Sequence, residues 1–332
     1  MSYKGKILVF DIWGDFAHFR KFYVNTSPST YSFPPPPTVR GILGCIIGIP
    51  MEETHKLNFL DVAVQILNPV RKINFSINYI NTKREENREV NFLSKVLEKD
   101  GLPRFKKEGI PRTQICMEFL KDPYFRIFLK VNEKAKSEDE EEILYFWNKI
   151  KEFLRGSQSV FTVYLGISEC LARFKYVGEF SFKKKEVVNT IHSVVPNSIL
   201  DKEKSELKLL PIKHALYTEK VPLIIKDGRE PVSYEEAIVN DGSIPIKGRL
   251  YGHYFYSLLI ENQGEDNKGV NVAFFEGEPL DGKLKRSTIG EKKDITKRKG
   301  SSKERLEKVK KVEKELKIKS LDIKGLKQFL LF

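Results

Sequence analysis

The chain opens with an apolar run, KILVFDIW, from Lys6 to Trp13. A run that is apolar on both faces predicts a buried central strand. Between Thr38 and Ile49 the spacing becomes helical, with Ile42, Leu43, Ile46 and Ile47 on one side and Thr38 as the expected N-cap. Gly41, Gly44 and Gly48 cost helix propensity, which predicts a close approach of this helix to a sheet or another backbone. From Asp61 to Asn81 the period is two. Val64 and Ile66, then Ile73, Phe75, Ile77 and Tyr79, alternate with polar residues, as in one long half-buried strand or a bent hairpin.

The alternation stops between Thr82 and Arg112, a charged excursion holding Gly101, Pro103, Gly109 and Pro111. Strand patterning returns at Gln114 to Leu120 and at Phe125, Ile127, Leu129 and Val131. The acidic run Glu138 to Glu142 then opens a helix whose stripe is Ile143, Phe146, Trp147, Ile150, Phe153 and Leu154. Acids in its first turn suit the helix dipole. Val160 to Ile167 reads as a strand again. The resulting order is βαββαβ, an α+β sandwich of ferredoxin-like or RRM-like type with an insertion between its second and third strands. The expected division is residues 1–182 for this domain (insertion about 82–113), 183–276 for a small β-rich domain, and 277–332 for a basic tail of helical segments.

Charge adds to the picture mainly at the end of the chain. The formal net charge is +13, and residues 277–332 alone hold 18 Lys/Arg against 9 Asp/Glu. Such a balance favours nucleic acid over an anionic membrane as partner. Ser302 to Leu316 carries Leu306, Val309, Val312 and Leu316 on one side, and the last residues, FLLF, are apolar, so the tail is expected to dock. Cys45, Cys116 and Cys170 are too scattered for a disulfide framework or a zinc site, so no metal or other cofactor is expected. No secretory signal is expected, since Ile7 to Phe10 ends at Asp11, and Gly41 to Ile49 is too short to span a bilayer. The expected setting is cytoplasmic and away from membranes.

Candidate chemistry concentrates in one stretch. His18, Phe19, Arg20, Lys21 and Tyr23 put aromatic faces and cations within six residues, the two group types that hold single-stranded RNA. Core packing of Phe16, Phe19 and Phe22 explains the same residues equally well, and both hold if the phenylalanines face inward and His18, Arg20, Lys21 and Tyr23 outward. The RRM stacking strand K/R-G-F/Y-G/A-F-V-x-F/Y is absent, as are Walker, GxGxxG, HExxH and GxSxG motifs.

The segment FDIWGDFAHFRKFYVNTSPSTYSFPPPPTVRGILGCIIGI, with YLGISECLA (Tyr164 to Ala172) further on, resembles the Cas-five family of RAMP-type CRISPR proteins, most of all its type I-B branch. The resemblance anchors roughly residues 5–182. It implies a non-catalytic subunit of a Cascade surveillance complex in antiviral defence. Such a subunit holds the 5′ handle of the crRNA, caps the backbone filament beside the large subunit, and meets target DNA through the complex. It also implies that the Thr82–Arg112 excursion is the family's thumb, where Arg84, Arg88, Arg104, Lys106, Lys107 and Arg112 would contact RNA or the backbone subunit. A solvated loop accounts for the same charges.

On this reading Asn25 joins the RNA-contacting segment. Pro34 to Pro37 would brace the start of the next helix, whose free N–H groups at Thr38 and side chain at Arg40 would receive a phosphate. Pro37 stands where the family commonly has a basic residue. One branch, in type I-C, resembles a metal-independent endoribonuclease that processes precursor crRNA. That chemistry needs a base near a 2′-OH, and the candidates are His18 with Tyr23, or Lys213, His214 and Tyr217. His192 and His253 sit in β-rich stretches and read as structural. A general RNA chaperone would fit charge and fold but not the long opening match.

Overall fold

The computed structural model describes residues 3–24, 28–80, 112–134, 140–201, 203–207, 215–225, 231–260 and 268–277. Asn25, the excursion from Thr82 through Pro111, Lys213, His214 and the tail beyond Gly277 lie outside the described residues; of Arg112 only the backbone is described. Met1–Gly282 forms one compact unit and Lys283–Phe332 a second.

The first half runs β1 (Lys6–Gly14), β2 (Phe16–Ala17), α1 (Pro36–Ile47), β3 (Leu60–Ile66), β4 (Lys72–Ile80), β5 (Arg112–Lys121), β6 (Tyr124–Val131), α2 (Glu140–Arg155) and β7 (Ala172–Ser181). Strands β3, β6, β1 and β7 lie in that order in one sheet, every neighbouring pair antiparallel. With β2, β4 and β5 set aside, the order is strand, helix, strand, strand, helix, strand. β4 and β5 pair with each other in a second sheet, β2-β5-β4, in an antiparallel ladder that ends at the pair Ile80–Arg112.

Residues 183–277 add β8 (Lys183–Ile191), β9 (Val195–Pro196), β10 (Glu206–Leu207), β11 (Leu216–Ile225), β12 (Pro231–Asn240), β13 (Ile246–Ile260) and β14 (Lys268–Val272). They form the sheets β11-β12-β9 and β10-β13-β14, with β8 also pairing to β13. The molecule is thus an α+β fold with several antiparallel sheets. Among the described residues no helix is long and apolar enough to cross a membrane.

The strand β1 is apolar on both sides because both are covered. Leu8, Phe10 and Ile12 pack in one core with Leu43 and Ile46 of α1 and Trp147 and Ile150 of α2. Ile7 and Val9 pack in another with Ala63, Phe128, Tyr256, Val272 and Phe274. The first core also takes in Val194, Val221, Val239 and Phe275. Phe275 pairs with Val62 through two backbone hydrogen bonds, so the β-rich residues close over the edge of β3.

Four expectations change at the local level. The first helix begins at Pro36, not after Thr38: Pro36 and Pro37 fill its first two positions, where a missing N–H costs nothing. Among its glycines, Gly41 meets nothing within 4 Å, whereas Gly48 ends the helix at φ +79°, a conformation that glycine adopts without strain. Asp61 to Asn81 is neither one strand nor a hairpin. It is two strands of different sheets, parted at Asn68–Pro69 where proline has no N–H for a ladder. Finally, Val160 to Ile167 is not the last strand; β7 starts at Ala172. The N–H groups of Val160 and Phe161 go instead to the carbonyls of Ile46 and Cys45 at the end of α1.

Candidate nucleic-acid interface

After β2 the chain doubles back on itself. Tyr31 N–H donates to the Phe19 carbonyl at 2.8 Å, Lys21 N–H donates to Ser29 at 2.9 Å, and Arg20 bridges Thr30. The two arms are buried at Phe19, Thr30, Tyr31, Ser32 and Phe33, while the tip presents Arg20, Phe22 and Tyr23 to solvent. Thr30 holds the arms together, since its hydroxyl accepts from Phe19 N–H and its own N–H donates to the Glu118 carboxylate. The Lys72 ammonium lies 3.4 Å from that carboxylate and donates to the Thr30 carbonyl.

The second clamp comes from β11. Glu219 is buried, and its carboxylate accepts from the backbone N–H and the hydroxyl of Ser32, both at 3.0 Å. It also pairs with Lys21 at 3.1 Å. The Ser32 hydroxyl shares a 2.6 Å bond with the Tyr217 hydroxyl, and the Tyr31 hydroxyl donates to the Lys220 carbonyl. Burial disfavours the Lys21 ammonium, but Glu219 beside it prevails, and its pKa lies above the usual lysine value. Burial pushes the Tyr217 phenol up to about 12.

Above this braced base the exposed rings of Phe22 and Tyr23 meet the half-buried ring of Tyr234. Phe22 stacks on Tyr234 of β12 with centroids 4.6 Å apart, and its edge meets Tyr23 at 5.1 Å. The Lys220 ammonium lies 5.2 Å from the Tyr234 ring. Arg20, Phe22, Tyr23, Tyr234 and Lys220 therefore make an aromatic and cationic surface built from two distant parts of the chain. Aromatic faces accept stacked bases and cations accept phosphates.

Several residues expected at that surface are placed elsewhere. His18 is 1% exposed; its Nδ1 donates to the Glu118 carbonyl at 2.7 Å, and Nε2 has no hydrogen-bond partner among the described residues. Burial holds its pKa below the ordinary value, and it faces the Phe119 ring, not solvent. Phe19 belongs to the core. Arg40 is also buried and reaches no surface: it donates to the Leu60 carbonyl through Nε and Nη2 and to the Leu223 carbonyl through Nη1 at 2.7 Å. Lys21 is engaged by Glu219.

Thr38 is half-buried at the third helical position. Pro36 and Pro37 bring no N–H, and Val39 N–H is bound to Pro35, which leaves the N–H of Thr38 as the donor at that end. Arg20 and Tyr23 lie where they were expected. Phe22, expected inward, is outward, and Tyr234 and Lys220 were not anticipated at all.

The two stretches that carry the family resemblance touch. His18 N–H donates to the Leu165 carbonyl at 3.0 Å, and Gly166, at φ +93°, sits so close that an added Cβ would be 2.0 Å from the His18 oxygen. Tyr164 and Leu171 bridge across a small hairpin around that glycine. Among the described residues no group of three or more His, Cys, Asp or Glu could hold a metal ion.

No curated protein matches the chain. Solved structures found similar to the chain include a CRISPR-associated protein at 14% identity and TM-score 0.30, over 52% of this chain and 66% of that one. A CRISPR protein from Archaeoglobus fulgidus is similar at 16% identity and TM-score 0.40, over 81% and 99%. A chain of a CRISPR RNA-guided surveillance complex is similar at 11% and 0.39, over 73% and 91%. The chain thus spans just under two thirds of the first of these and nearly all of the other two. The family model described as CRISPR-associated protein (Cas_Cas5), in its Cas5d form, matches residues 7–238. With a match over more than half its length, the chain belongs to the Cas5 family of CRISPR-associated proteins.

Proposed function

We propose that this protein is the non-catalytic crRNA-binding subunit of a type I, I-B-like Cascade complex. Its first domain is read as a ferredoxin-like RAMP domain with the thumb at about 82–113, followed by the β-rich domain 183–276. It holds the 5′ handle of the crRNA and caps the backbone filament next to the large subunit. Target sequence is read by guide pairing, and the protein contributes shape and anchorage. The observation that carries this reading is the set of exposed Arg20, Phe22 and Tyr23, in the segment most like the family, with half-buried Tyr234 and exposed Lys220 beside them, all held on a buried ionic base. Family membership supplies the CRISPR context.

Arg84, Arg104, Lys106, Lys107, Arg112 and Asn25 remain part of the proposal as further RNA contacts. The test is co-purification with the neighbouring gene products, followed by sequencing of the bound RNA. Repeat-derived crRNA is the expected cargo, lost or reduced on Arg20→Ala with Lys220→Ala. Random cellular RNA, or no subunit partners, would overturn the reading.

One observation favours the rival reading, a metal-independent endoribonuclease acting on precursor crRNA: the matched family model is the Cas5d one. The His18–Tyr23 pair does not serve that chemistry, because the His18 ring is buried while Tyr23 is 49% exposed. Tyr217 is held by Ser32. Incubation of the purified protein with repeat RNA in EDTA between pH 6 and 9 should leave the RNA uncut. Site-specific cleavage lost on His214→Ala would establish the nuclease.

A further inference from the structure

Among the described residues, the four-stranded sheet is packed along its helix side and covered only in part on the other. On that second face, side chains line up in rows set by the strand register. The row Ala63, Phe128, Val9 packs under Tyr256, Val272 and Phe274. The Lys130 ammonium, on the same face, points at the Tyr256 and Phe274 rings. Of the next two rows, Arg173 and Lys175 are exposed and Gln65, Arg126, Trp13 and Tyr124 half-buried, while Asp11 is buried. One runs Gln65, Arg126, Asp11, Lys175 across β3, β6, β1 and β7; the other runs Tyr124, Trp13, Arg173 across β6, β1 and β7.

These rows have a distinct chemistry. Trp13 and Tyr124 are half-buried neighbours with ring centroids 5.6 Å apart. Asp11 is the one acid in the two rows, and its carboxylate accepts from Arg126 Nε at 2.7 Å and Nη2 at 2.9 Å. Arg173 and Lys175 are exposed and have no ion pair among the described residues. Alternate residues of one strand, they stand about 6.6 Å apart. Beyond Tyr124, Asp122 is held by Arg71 at 2.8 Å, and Asp15 is exposed.

A protein partner would call for a broader apolar patch. Rings on adjacent central strands, flanked by free cations on the edge strand, are how a sheet face takes unstacked bases and their backbone. We propose that this uncovered part of the sheet face is a second site for single-stranded nucleic acid. A base stacks against Trp13 and Tyr124, and backbone phosphates meet Arg173 and Lys175. It shares no residue with the interface of the opening segment, so the two can fail separately.

Tryptophan fluorescence reports on it directly. The chain has two tryptophans, and the other, Trp147, is 1% exposed on the buried side of α2. The full-length protein is titrated with labelled oligouridylate or oligothymidylate, reading anisotropy for total binding and tryptophan emission for this site. Saturation is expected to quench emission in the wild type. Arg173→Ala with Lys175→Ala should weaken the quenching transition roughly tenfold and flatten its salt dependence by about 0.7 per lost phosphate contact in log–log slope. The variant Trp13→Phe should leave a residual Trp147 emission that the oligonucleotide does not change. Arg20→Ala with Lys220→Ala should leave the quenching in place.

Quenching by uridylate alone assigns the site to RNA, and equal quenching by both assigns it to either strand; each supports the proposal. Anisotropy binding without quenching overturns it and leaves the opening-segment interface intact. Quenching that survives loss of Arg173 and Lys175, or no binding to either oligonucleotide at low salt, also overturns it.

Discussion

His18 occupies its site as a neutral ring. Its Nδ1–H donates to the Glu118 carbonyl, and among the described residues the buried Nε2 has no acceptor to receive a second proton's hydrogen bond. Protonation would therefore place an unsatisfied cation in the core, the cause of its lowered pKa. A histidine with a folded pKa below the unfolded value of about 6.5 contributes stability that is present above that value and is lost as pH falls through the folded pKa. Thermal unfolding followed from pH 7.5 to 5 should show stability falling on the acid side, with a shallower fall in His18→Gln. His192, whose pKa is also lowered by burial, keeps part of the slope. An unchanged slope in the variant would show that His18 is not a source of it.

A second residue-scale prediction falls on Gly166. Alanine there would need both an unfavourable φ and a shift of the His18 carbonyl, at about 3 kcal/mol or more. Denaturant unfolding checks it; a cost under about 1 kcal/mol would mean the hairpin yields easily.

At the scale of elements, the question is what holds the tip of the opening segment in place. Glu219 on β11 joins Ser32 and Lys21, with Lys72 3.9 Å away, and its neighbour Lys220 contributes to the exposed surface. Glu219→Gln keeps an acceptor for Ser32 but leaves Lys21 without its counter-charge. The Lys21 side chain is 15% exposed, so the cost should be about 2 kcal/mol, below the 3–5 kcal/mol of a fully buried pair. RNA affinity should fall with it, because Phe22 and Tyr234 lose their common base. The salt slope should stay as in the wild type, since no phosphate contact is removed. A changed slope at unchanged stability would assign Glu219 a direct electrostatic role instead.

Much of this was open to reading from the sequence where contacts are local. The apolar run of β1 declared a strand covered twice, and Ile143, Phe146, Trp147, Ile150 and Leu154 declared the buried side of α2. Arg40 was misread although its signal was present: it shares a helical face with Leu43 and Ile47, which marks it for burial. The pairing of Phe22 with Tyr234 had no such signal, because nothing local in either segment specifies a partner more than 200 residues away. The break at Asn68–Pro69 was legible and missed: apolar positions are even before it (Val64, Ile66) and odd after it (Ile73, Phe75, Ile77), so the alternation changes phase there.

At the scale of the whole molecule, charge and packing are separated along the chain. Met1–Gly282 forms a compact unit by its own contacts. Its last described residue is fastened: Gly277 N–H donates to Asp61 at 2.6 Å, and its carbonyl accepts from Asn132 at 2.9 Å. Asp61 in turn pairs with the buried Lys130. A truncation after Gly282 leaves that anchor whole, yet removes 18 Lys/Arg and only 7 Asp/Glu. The remaining chain is close to neutral. Deleting residues 283–332 should therefore leave the unfolding transition of the first unit nearly unchanged. Affinity for repeat RNA should fall, and the dependence of log affinity on log salt should become shallower by about 0.7 for each phosphate the tail had neutralised. Binding by Arg20, Phe22, Tyr23, Tyr234 and Lys220 would persist, so the truncated protein should keep its preference for handle over unrelated RNA while losing general affinity. If truncation leaves both affinity and salt slope as they were, the tail's charge plays no part in RNA binding. If it abolishes the folded transition, the first unit depends on the tail for its stability.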